Sequence, residues 1–319
     1  MSSPTSISAP IGFSQQIGYN EIGQKLIKQT IKRSLYYSIK RVRNQLTKKL
    51  YEDKRVKSTD RIINRLRTMG ANSIFFTIAY NTPWTIKLMI SFWQKNCPGL
   101  ELAVMDNSSD SASSEEIHNI CNSTNTIYLK LPGNNAGHMC RSHGLAINWT
   151  WKNIVCQIQD LNTIGFIDHD CFPLKPWDLS RKPNVFAYGV KNPGFIQGHQ
   201  TWNMWAGFMI FDMGRSPVKK RNMDFTVNPL DTLDTGGMNW RRVYRYLSTS
   251  QYSFARVERI RINLQDEPQS QSSTIEAEMI NGSFLHLSGL THKKAWQQYS
   301  AEELLAFFKN HPLPTGNQA

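Results

Sequence analysis

The sequence predicts an α/β protein of Rossmann-like architecture, in which helices flank a mostly parallel sheet and a basic helical extension precedes it. Between residues 73 and 170, short apolar runs rich in β-branched and aromatic residues alternate with longer segments of helical periodicity. Such alternation is typical of a doubly wound sheet, because parallel neighbours need a crossover helix between them. Polar residues follow the predicted strand ends, where ligands of such sheets bind.

Length and composition are those of a globular protein with a large core. The chain has 319 residues, of which 40% are hydrophobic and 11% aromatic, enough for one large α/β domain with an extension. It has no uncharged apolar run of about 18 residues, and residues 1–20 lack the pattern of a secretory signal. The five scattered cysteines fit a reducing compartment. We therefore expect a cytoplasmic protein.

Four segments are predicted along the chain. Residues 1–20 are rich in Ser, Pro, Gly and Gln and are expected to form a flexible tail. Residues 21–70 form the basic amphipathic helical extension. Residues 71–180 and 181–319 form the two halves of the α/β domain, the second ending in a helix at about 300–310.

The basic charge is concentrated in the extension. Residues 21–70 contain 15 Lys and Arg against four acidic residues, a net charge of +11, whereas the rest of the chain carries +2. Apolar residues recur there at spacings of three and four, which predicts one apolar stripe on a basic helix; they are Ile22, Leu26, Ile27, Ile31, Leu35, Ile39, Val42, Leu46 and Leu50. Such a helix can lie on an anionic membrane surface, here the inner face of a membrane. It can equally pack on the domain or on a partner helix, whereas nucleic acid is a weaker alternative because few aromatics are interleaved.

The first half of the domain reads as four strands joined by three helices. The predicted strands are 73–79, 102–105, 126–131 and 164–167, and the predicted helices are 83–95, 113–122 and 138–153. Pro83 can begin the first helix, since its fixed φ suits the first helical position. In the second half, 185–190, 205–211 and 284–289 resemble strands, and 239–247 resembles a basic helix.

The ends of the strands in the first half carry the candidate site. Asn81, Asp106, Asn135 and Asp168 all stand at or just past a strand end. Asp168 and Asp170 follow the fourth strand directly, and two acids beside an apolar run are costly to desolvate unless a cation compensates them. Mg²⁺ or Mn²⁺ is the natural candidate, because both accept oxygen ligands and substrate phosphates.

Four short motifs in this order resemble the nucleotide-sugar-dependent glycosyltransferases of GT-A fold, most like the family 2 type. Thr77-Ile78-Ala79-Tyr80-Asn81 is similar to the first strand and nucleotide loop, and Asp106-Asn107-Ser108-Ser109 to the acidic turn after the second strand. Asn135-Ala136-Gly137-His138 with Arg141 is similar to the segment beneath the diphosphate, although His143 replaces the usual Asn. Asp168-His169-Asp170 is similar to the Asp-x-Asp metal motif. The resemblance is carried by residues 73–170, with weaker matches to about Gly289.

The resemblance implies a role for each of these residues. Ala79, Tyr80 and Asn81 would contact the donor nucleotide, Gly137 and Arg141 its diphosphate, and residues 71–180 would form the donor half of the domain. Asp170 would hold the metal, with Asp168 on the ribose or in the outer metal shell. A bound cation would neutralise the leaving phosphates as a Lewis acid.

Three further residues each have a functional and a purely structural interpretation. Asp106 either caps the next helix or accepts hydrogen bonds from the base or ribose. His286 is either a core residue or the third metal ligand, with His292 as the fallback. Asp234, with Asp231 as runner-up, is either the base that deprotonates the acceptor or a cap of the 239–247 helix.

The resulting expectation is a hexosyltransferase-type enzyme acting on an acceptor hydroxyl, with a lipid-linked glycan or a polysaccharide as the expected acceptor. If Asp234 is the base, one in-line displacement inverts the anomeric centre. A nucleotidyltransferase is one alternative, but it would favour a Gly-rich basic loop after the first strand, where Tyr80-Asn81-Thr82-Pro83 stands. A non-catalytic glycan- or nucleic-acid-binding protein on the same scaffold is the other.

Overall fold

The computed structural model describes residues 14–70, 72–134, 136–196, 199–227, 234–263, 274–287, 302–303 and 306–307. This part of the chain is a mixed α/β structure with a mostly parallel central sheet flanked by helices, which confirms the predicted fold class and is consistent with the GT-A fold. The chain divides into two compact units, residues 1–47 and 48–319.

The helices of the described residues are α1 (Ser14–Glu52), α2 (Thr59–Thr68), α3 (Pro83–Asn96), α4 (Ser111–Ser123), α5 (Met139–Asn153) and α6 (Met238–Arg242). Helix α1 begins inside the segment for which the sequence predicts a tail, and residues 1–13 of that tail lie outside the described part. None of the described helices combines the length and the apolarity needed to cross a membrane.

The strands are β1 (Ser73–Ala79), β2 (Glu101–Asp106), β3 (Ile127–Lys130), β4 (Thr163–Ile167), β5 (Cys171–Pro173), β6 (Ala187–Ile196), β7 (His199–Asp212), β8 (Tyr252–Phe254), β9 (Val257–Asn263), β10 (Thr274–Ile280) and β11 (Phe284–His286). The central sheet has the order β3-β2-β1-β4-β7-β6-β8. Strand β7 runs antiparallel to both neighbours, while the other strands share one direction. The carboxyl ends of β1, β2 and β4 therefore meet at one edge, as predicted.

Strand β1 shows how the sheet separates two cores. Successive side chains of a strand point to opposite faces, so Phe75 packs against Trp93 of α3, at a ring-centroid distance of 5.0 Å. Its neighbour Phe76 stacks on Phe166 of β4 at 5.4 Å on the other face. Both phenylalanines are completely buried.

A second, antiparallel sheet has the order β5-β11-β10-β9. Its strand β5 directly follows the Asp-x-Asp turn in the chain. The register of this sheet pairs His286 with Cys171 of β5 on one side and with Glu278 of β10 on the other. This pairing brings a histidine from near the end of the chain beside Asp170. Strand β11 is the predicted strand at 284–289, of which 288–289 lie outside the described residues.

The predicted helix at 239–247 is wrong in its length. Helix α6 ends at Arg242, and the chain continues through a 3₁₀ turn at Tyr244–Tyr246. Tyr244 is buried there and stacks on Trp202, with ring centroids 4.9 Å apart. Packing of this aromatic pair accounts for a turn where periodicity predicts a helix. Of the predicted terminal helix at 300–310, only 302–303 and 306–307 are described, and they are helical.

Candidate active site

The Asp168–Asp170 turn is fixed by the backbone of two neighbouring strands. The amide of Asp168 donates to Gly207 O of β7 at 3.0 Å, and the amide of Cys171 donates to Asp168 O at 2.9 Å. The His169 ring lies on the opposite side, with Nδ1 3.0 Å from Ile78 O at the end of β1. Both carboxylates are thereby held where β1, β4 and β7 meet.

Asp170 is a buried acid that faces a histidine. Only 9% of Asp170 is exposed, and its Oδ1 lies 3.7 Å from Nε2 of His286. The amide of Leu287 also donates to Asp170 O at 2.9 Å, which locks the two segments together. Burial raises the pKa of the Asp170 carboxyl, although the nearby His286 and His169 oppose that effect. An acid in these surroundings favours a cation at its side.

Glu278 fixes the orientation of the His286 ring. Its Oε2 lies 2.9 Å from Nδ1 of His286, which leaves Nε2 directed at Asp170. Burial would lower the pKa of His286, but Asp170 and Glu278 outweigh it and hold that pKa above its ordinary value. A histidine bonded to a carboxylate through one ring nitrogen and free to coordinate through the other is a recurring arrangement in metal sites. Sequence analysis named His286 but missed Glu278, which only the β10–β11 register brings to it.

Trp205 and Gly207 close the site from β7. The Trp205 ring packs on His286 with centroids 4.4 Å apart. A Cβ placed on Gly207 would lie 2.1 Å from Trp205 Cζ2 and 2.5 Å from Oδ2 of Asp168. Position 207 therefore requires glycine, because any side chain would displace both the indole and the carboxylate.

Helix α5 contacts Asp168 through His143. Nε2 of His143 lies 3.4 Å from Oδ1 of Asp168. The two side chains are partly exposed, at 25% and 20%. His143 therefore makes a polar contact with the Asp-x-Asp turn.

Asp234 is held near the same helix. The Cys140 thiol lies near the Asp234 carboxylate, and burial together with that carboxylate raises the pKa of Cys140 to about 12. Thr235 Oγ1 donates to Cys140 O at 2.9 Å, which ties the loop to α5. Cys140 and His143 lie three residues apart and so share one helix face, which places Asp234 and Asp168 along that face.

The capping alternative for Asp234 is wrong. Helix α6 begins after Gly237, which occupies the cap position and makes no side-chain cap. The Asp234 backbone oxygen instead accepts from the amide of Gly237 at 2.8 Å in the preceding turn. That turn needs Gly236, whose φ of +87° is in the left-handed region. The runner-up base, Asp231, lies outside the described residues.

Asp106 is completely buried, and its carboxylate is occupied by the protein itself. It accepts from the Ser108 amide at 2.8 Å, Ser114 Oγ at 2.5 Å, Tyr128 OH at 2.9 Å and Lys130 Nζ at 3.1 Å. Burial would raise the pKa of Asp106, but these hydrogen bonds and Lys130 hold it below its ordinary value. Helix α4 is capped by Asp110 instead. Asp106 thus does not cap α4 and organises the loop after β2, while its contact with a base or ribose stays a prediction.

The loop after β1 joins this network. Asn81, at a φ of +52°, accepts from the amides of Ser109 and Asp110 at 3.0 and 3.1 Å. Tyr80 is 39% exposed and its OH lies 3.3 Å from Ser109 Oγ, while Ala79 is buried. A cavity of about 460 Å³ adjoins the loop, lined by Ser108, Ser109, Asp110, Ser111, Ser114, Glu115, His118, Tyr128 and Lys130.

The predicted diphosphate segment lies at the start of α5. Gly137 is exposed with a φ of +63°, and nothing lies within 4 Å of a Cβ placed on it. Arg141 is half-buried in the first turn of the helix. Asn107 Nδ2 donates to Ser142 Oγ at 2.9 Å and so connects this turn to the loop after β2. Asn135 lies outside the described residues.

The described side chains supply a partial set of metal ligands. Among the residues that the structure describes, no three His, Cys, Asp or Glu side chains are grouped closely enough to hold a metal by themselves. Asp170 and His286 form a pair, and Asp168 lies two residues from Asp170. This set fits a cation that completes its coordination with substrate phosphates and water, as Mg²⁺ does in many phosphate sites.

Comparisons with known proteins concern the fold alone. No protein-family model and no curated protein matches the chain. Among solved structures, the apo bifunctional glycosyltransferase WbbM is 10% identical with a TM-score of 0.31, over 45% of this chain and 32% of that chain. The galactosyltransferase LgtC in complex with donor and acceptor sugar analogues is 12% identical with a TM-score of 0.31, over 47% and 62%. An active-site mutant of LgtC is 10% identical with a TM-score of 0.32, over 44% and 58%.

This chain covers less than two thirds of each of those structures. At these identities and TM-scores, the likeness assigns no substrate and no residue role. An assignment of activity has to come from the geometry of the site.

Proposed function

We propose that the protein is a divalent-metal-dependent glycosyltransferase of the hexosyltransferase type, which moves a sugar from a nucleotide-diphospho-sugar to an acceptor hydroxyl. The observation that carries the proposal is the buried Asp170 facing His286, whose other nitrogen is held by Glu278. These three side chains lie near the carboxyl ends of the strands of a mostly parallel sheet, where ligands of such folds bind.

Asp170 and His286 would hold Mn²⁺ or Mg²⁺, with Asp168 beside them on the ribose or in the outer shell. The cation would supply charge neutralisation for the leaving diphosphate. Imidazole in the ligand set favours Mn²⁺ over Mg²⁺. Trp205 covers one side of His286 and limits the access of water to that ligand.

Asp234 is the proposed base. Its carboxylate lies near the Cys140 thiol, and the turn at Gly236 fixes its backbone. The carboxylate lone pairs can accept the proton of an acceptor hydroxyl. One displacement assisted by this base inverts the anomeric centre, so the proposed reaction is inverting. The acceptor side of the site would be formed by residues 181–319.

The donor nucleotide is proposed to bind over the loops after β1 and β2. Because Asp106 is occupied by its own loop, the contacts would come from Tyr80, Asn81, Ser108 and Ser109, which Asp106 and Lys130 position. Gly137 and Arg141, at the start of α5, are the proposed diphosphate contacts, where helix amides favour an anion.

A panel of nucleotide sugars tests the proposal. The full chain is incubated with each donor and Mn²⁺, and slow donor hydrolysis and thermal stabilisation are scored. We expect one donor to respond, with a response that EDTA removes. No response to any donor, with or without metal, would refute the enzyme assignment.

Asp234→Asn separates binding from transfer. We expect this variant to keep the donor-dependent thermal shift while transfer falls about a hundredfold or more, the scale of a lost general base. Asp160→Asn, an exposed carboxylate in another turn, is the control and should leave both unchanged. Full transfer activity in Asp234→Asn would contradict the assignment of the base.

A further inference from the structure

Helix α1 exposes an apolar stripe within the unit formed by residues 1–47. Leu35, Ile39, Val42 and Leu46 are 56–61% exposed, and Tyr36 is 59% exposed. A helix turns by about 100° per residue, so those four aliphatic side chains fall within an arc of about 60°. Isolated exposed apolar residues are common, but an aligned series of them marks an interaction surface.

The charged residues around the stripe are all basic. Residues 22–51 contain no Asp or Glu. The basic residues of the same unit are Lys25, Lys28, Lys32, Arg33, Lys40, Arg41 and Arg43. Lys32 and Arg43 lie within about 40° of the border of the stripe on the helical projection, close enough for their heads to reach out around it.

The combination of an apolar stripe and basic side chains around it distinguishes among possible partners. A second copy of the helix would bring two strongly positive faces together, with no acidic residue on either to pair them. Nucleic acid would satisfy the charge but leaves the apolar stripe without a partner. A membrane surface with anionic headgroups satisfies both, since the stripe enters the boundary with the acyl chains while the basic side chains meet the headgroups.

We infer that helix α1 binds the surface of an anionic lipid membrane, lying in its plane with Leu35, Ile39, Val42 and Leu46 inserted. The interaction is reversible, because the stripe is short and its binding adds to an electrostatic attraction that salt screens. It does not depend on the proposed glycosyl transfer, and it is measured without any donor.

Co-sedimentation of the full chain with vesicles tests the inference. Vesicles contain either phosphatidylcholine alone or phosphatidylcholine with about 30% phosphatidylserine, which gives the surface the negative potential of a cytoplasmic leaflet. We expect binding to the anionic vesicles only, weakening as salt rises. Absence of binding to anionic vesicles at low salt would overturn the inference.

Two variants distinguish the two contributions. Ile39→Ser/Val42→Ser/Leu46→Ser should reduce partitioning about tenfold or more by removing inserted apolar area. Lys40→Gln/Arg41→Gln/Arg43→Gln should reduce it on the order of a hundredfold and weaken the salt dependence. All six side chains are half-exposed or exposed, so the thermal unfolding midpoint should stay at the wild-type value.

Matched controls use the same changes elsewhere. Asn44→Ser alters the opposite face of α1, and Arg256→Gln/Arg259→Gln/Arg261→Gln removes three exposed charges near or on β9. Both should bind like the wild type. If the β9 control loses as much binding as the α1 charge variant, the attraction is general and the inference fails.

Two other outcomes would also overturn it. A concentration-dependent dimer that the apolar variant abolishes, without vesicle binding, would make a second copy the partner. Binding to a short DNA duplex that the charge variant abolishes and the apolar variant leaves intact, without vesicle binding, would make nucleic acid the partner.

Discussion

His286 acquires its proposed role from two neighbours on different strands. Oε2 of Glu278 lies 2.9 Å from Nδ1 of His286, and Oδ1 of Asp170 lies 3.7 Å from its Nε2. A core histidine needs only a satisfied ring, whereas a metal ligand needs one nitrogen held and the other directed at a cation. Around His286, Nδ1 is held by Glu278 and Nε2 faces Asp170, the acid that is proposed to hold the cation.

Glu278→Gln tests whether that carboxylate orients the ligand. The amide can still accept from Nδ1 but loses the charge that makes the imidazole a better donor to the metal, so we expect Mn²⁺ affinity to fall about tenfold. Calorimetric titration of the full chain with Mn²⁺ alone measures this. Glu276→Gln, an exposed residue on the same strand, is the control and should bind as tightly as the wild type. Equal affinity in Glu278→Gln would remove Glu278 from the site.

Gly207→Ala tests the close packing between β7 and the Asp-x-Asp turn. The added methyl group would overlap the Trp205 ring and the Asp168 carboxylate, so we expect a loss of about 1–3 kcal/mol of stability together with weaker donor binding. The matched control is Gly133→Ala, because nothing lies within 4 Å of a Cβ at that position. Denaturant unfolding measures both. Equal unfolding midpoints for the two variants would show that position 207 accepts a side chain.

Among the elements of the fold, helix α5 lies beside both Asp234 and Asp168 of the candidate site. Cys140 in its first turn lies near Asp234, and His143 one turn later contacts Asp168. The helix can approach the neighbouring loop because Gly144 lies against Phe225, where a Cβ would be 2.7 Å from the Phe225 oxygen. A helix packed this closely holds both side chains at a fixed separation, which catalysis by positioned groups requires.

The loop that begins at Asp224 is fixed by a buried ion pair. Asp224 is 2% exposed and lies 2.8 Å from Lys48 Nζ and 3.2 Å from Arg242 Nη2. Burial would raise the pKa of Asp224, but Lys48 and Arg242 outweigh it and hold the pKa below its ordinary value. A carboxyl with a lowered folded-state pKa stabilises the fold above its unfolded-state pKa, and this stabilisation is lost as the pH falls through the folded value.

Asp224→Asn should therefore destabilise the fold in a pH-dependent way. We expect a loss of roughly 3 kcal/mol at neutral pH, the low end for a broken buried pair because Arg242 keeps access to water. Since an unfolded Asp titrates near about pH 3.9, the difference from the wild type should be constant above about pH 5 and shrink below about pH 4. Urea unfolding across this range measures it, and a difference independent of pH would contradict the ion-pair assignment.

At the scale of the whole molecule, the local pattern predicted the parallel half of the sheet well. Strands β1 to β4 and helices α3 to α5 were predicted close to their observed bounds, because each is a strongly apolar or periodic segment. Their order alone brings Asn81, Asp106 and Asp168 to one edge. The position of the candidate site therefore followed from the sequence.

The contacts that complete the site did not follow from it. Glu278 reaches His286 through antiparallel pairing of β10 and β11, and Cys140 reaches Asp234 across 94 positions of chain. Asp106 was expected to contact a ligand or to cap a helix, and the four protein donors that its carboxylate accepts from were not predicted. Contacts set by strand pairing and loop packing leave no periodic signal in the chain.

The most direct test of the central proposal is calorimetric binding of the donor found in the nucleotide-sugar panel, with and without Mn²⁺, to the wild type and to Asp170→Asn. We expect Mn²⁺ to strengthen donor binding to the wild type at least about tenfold, and Asp170→Asn to keep the weak metal-free binding but lose the increase. Equal donor affinity with and without Mn²⁺ in the wild type, or an undiminished increase in Asp170→Asn, would contradict it.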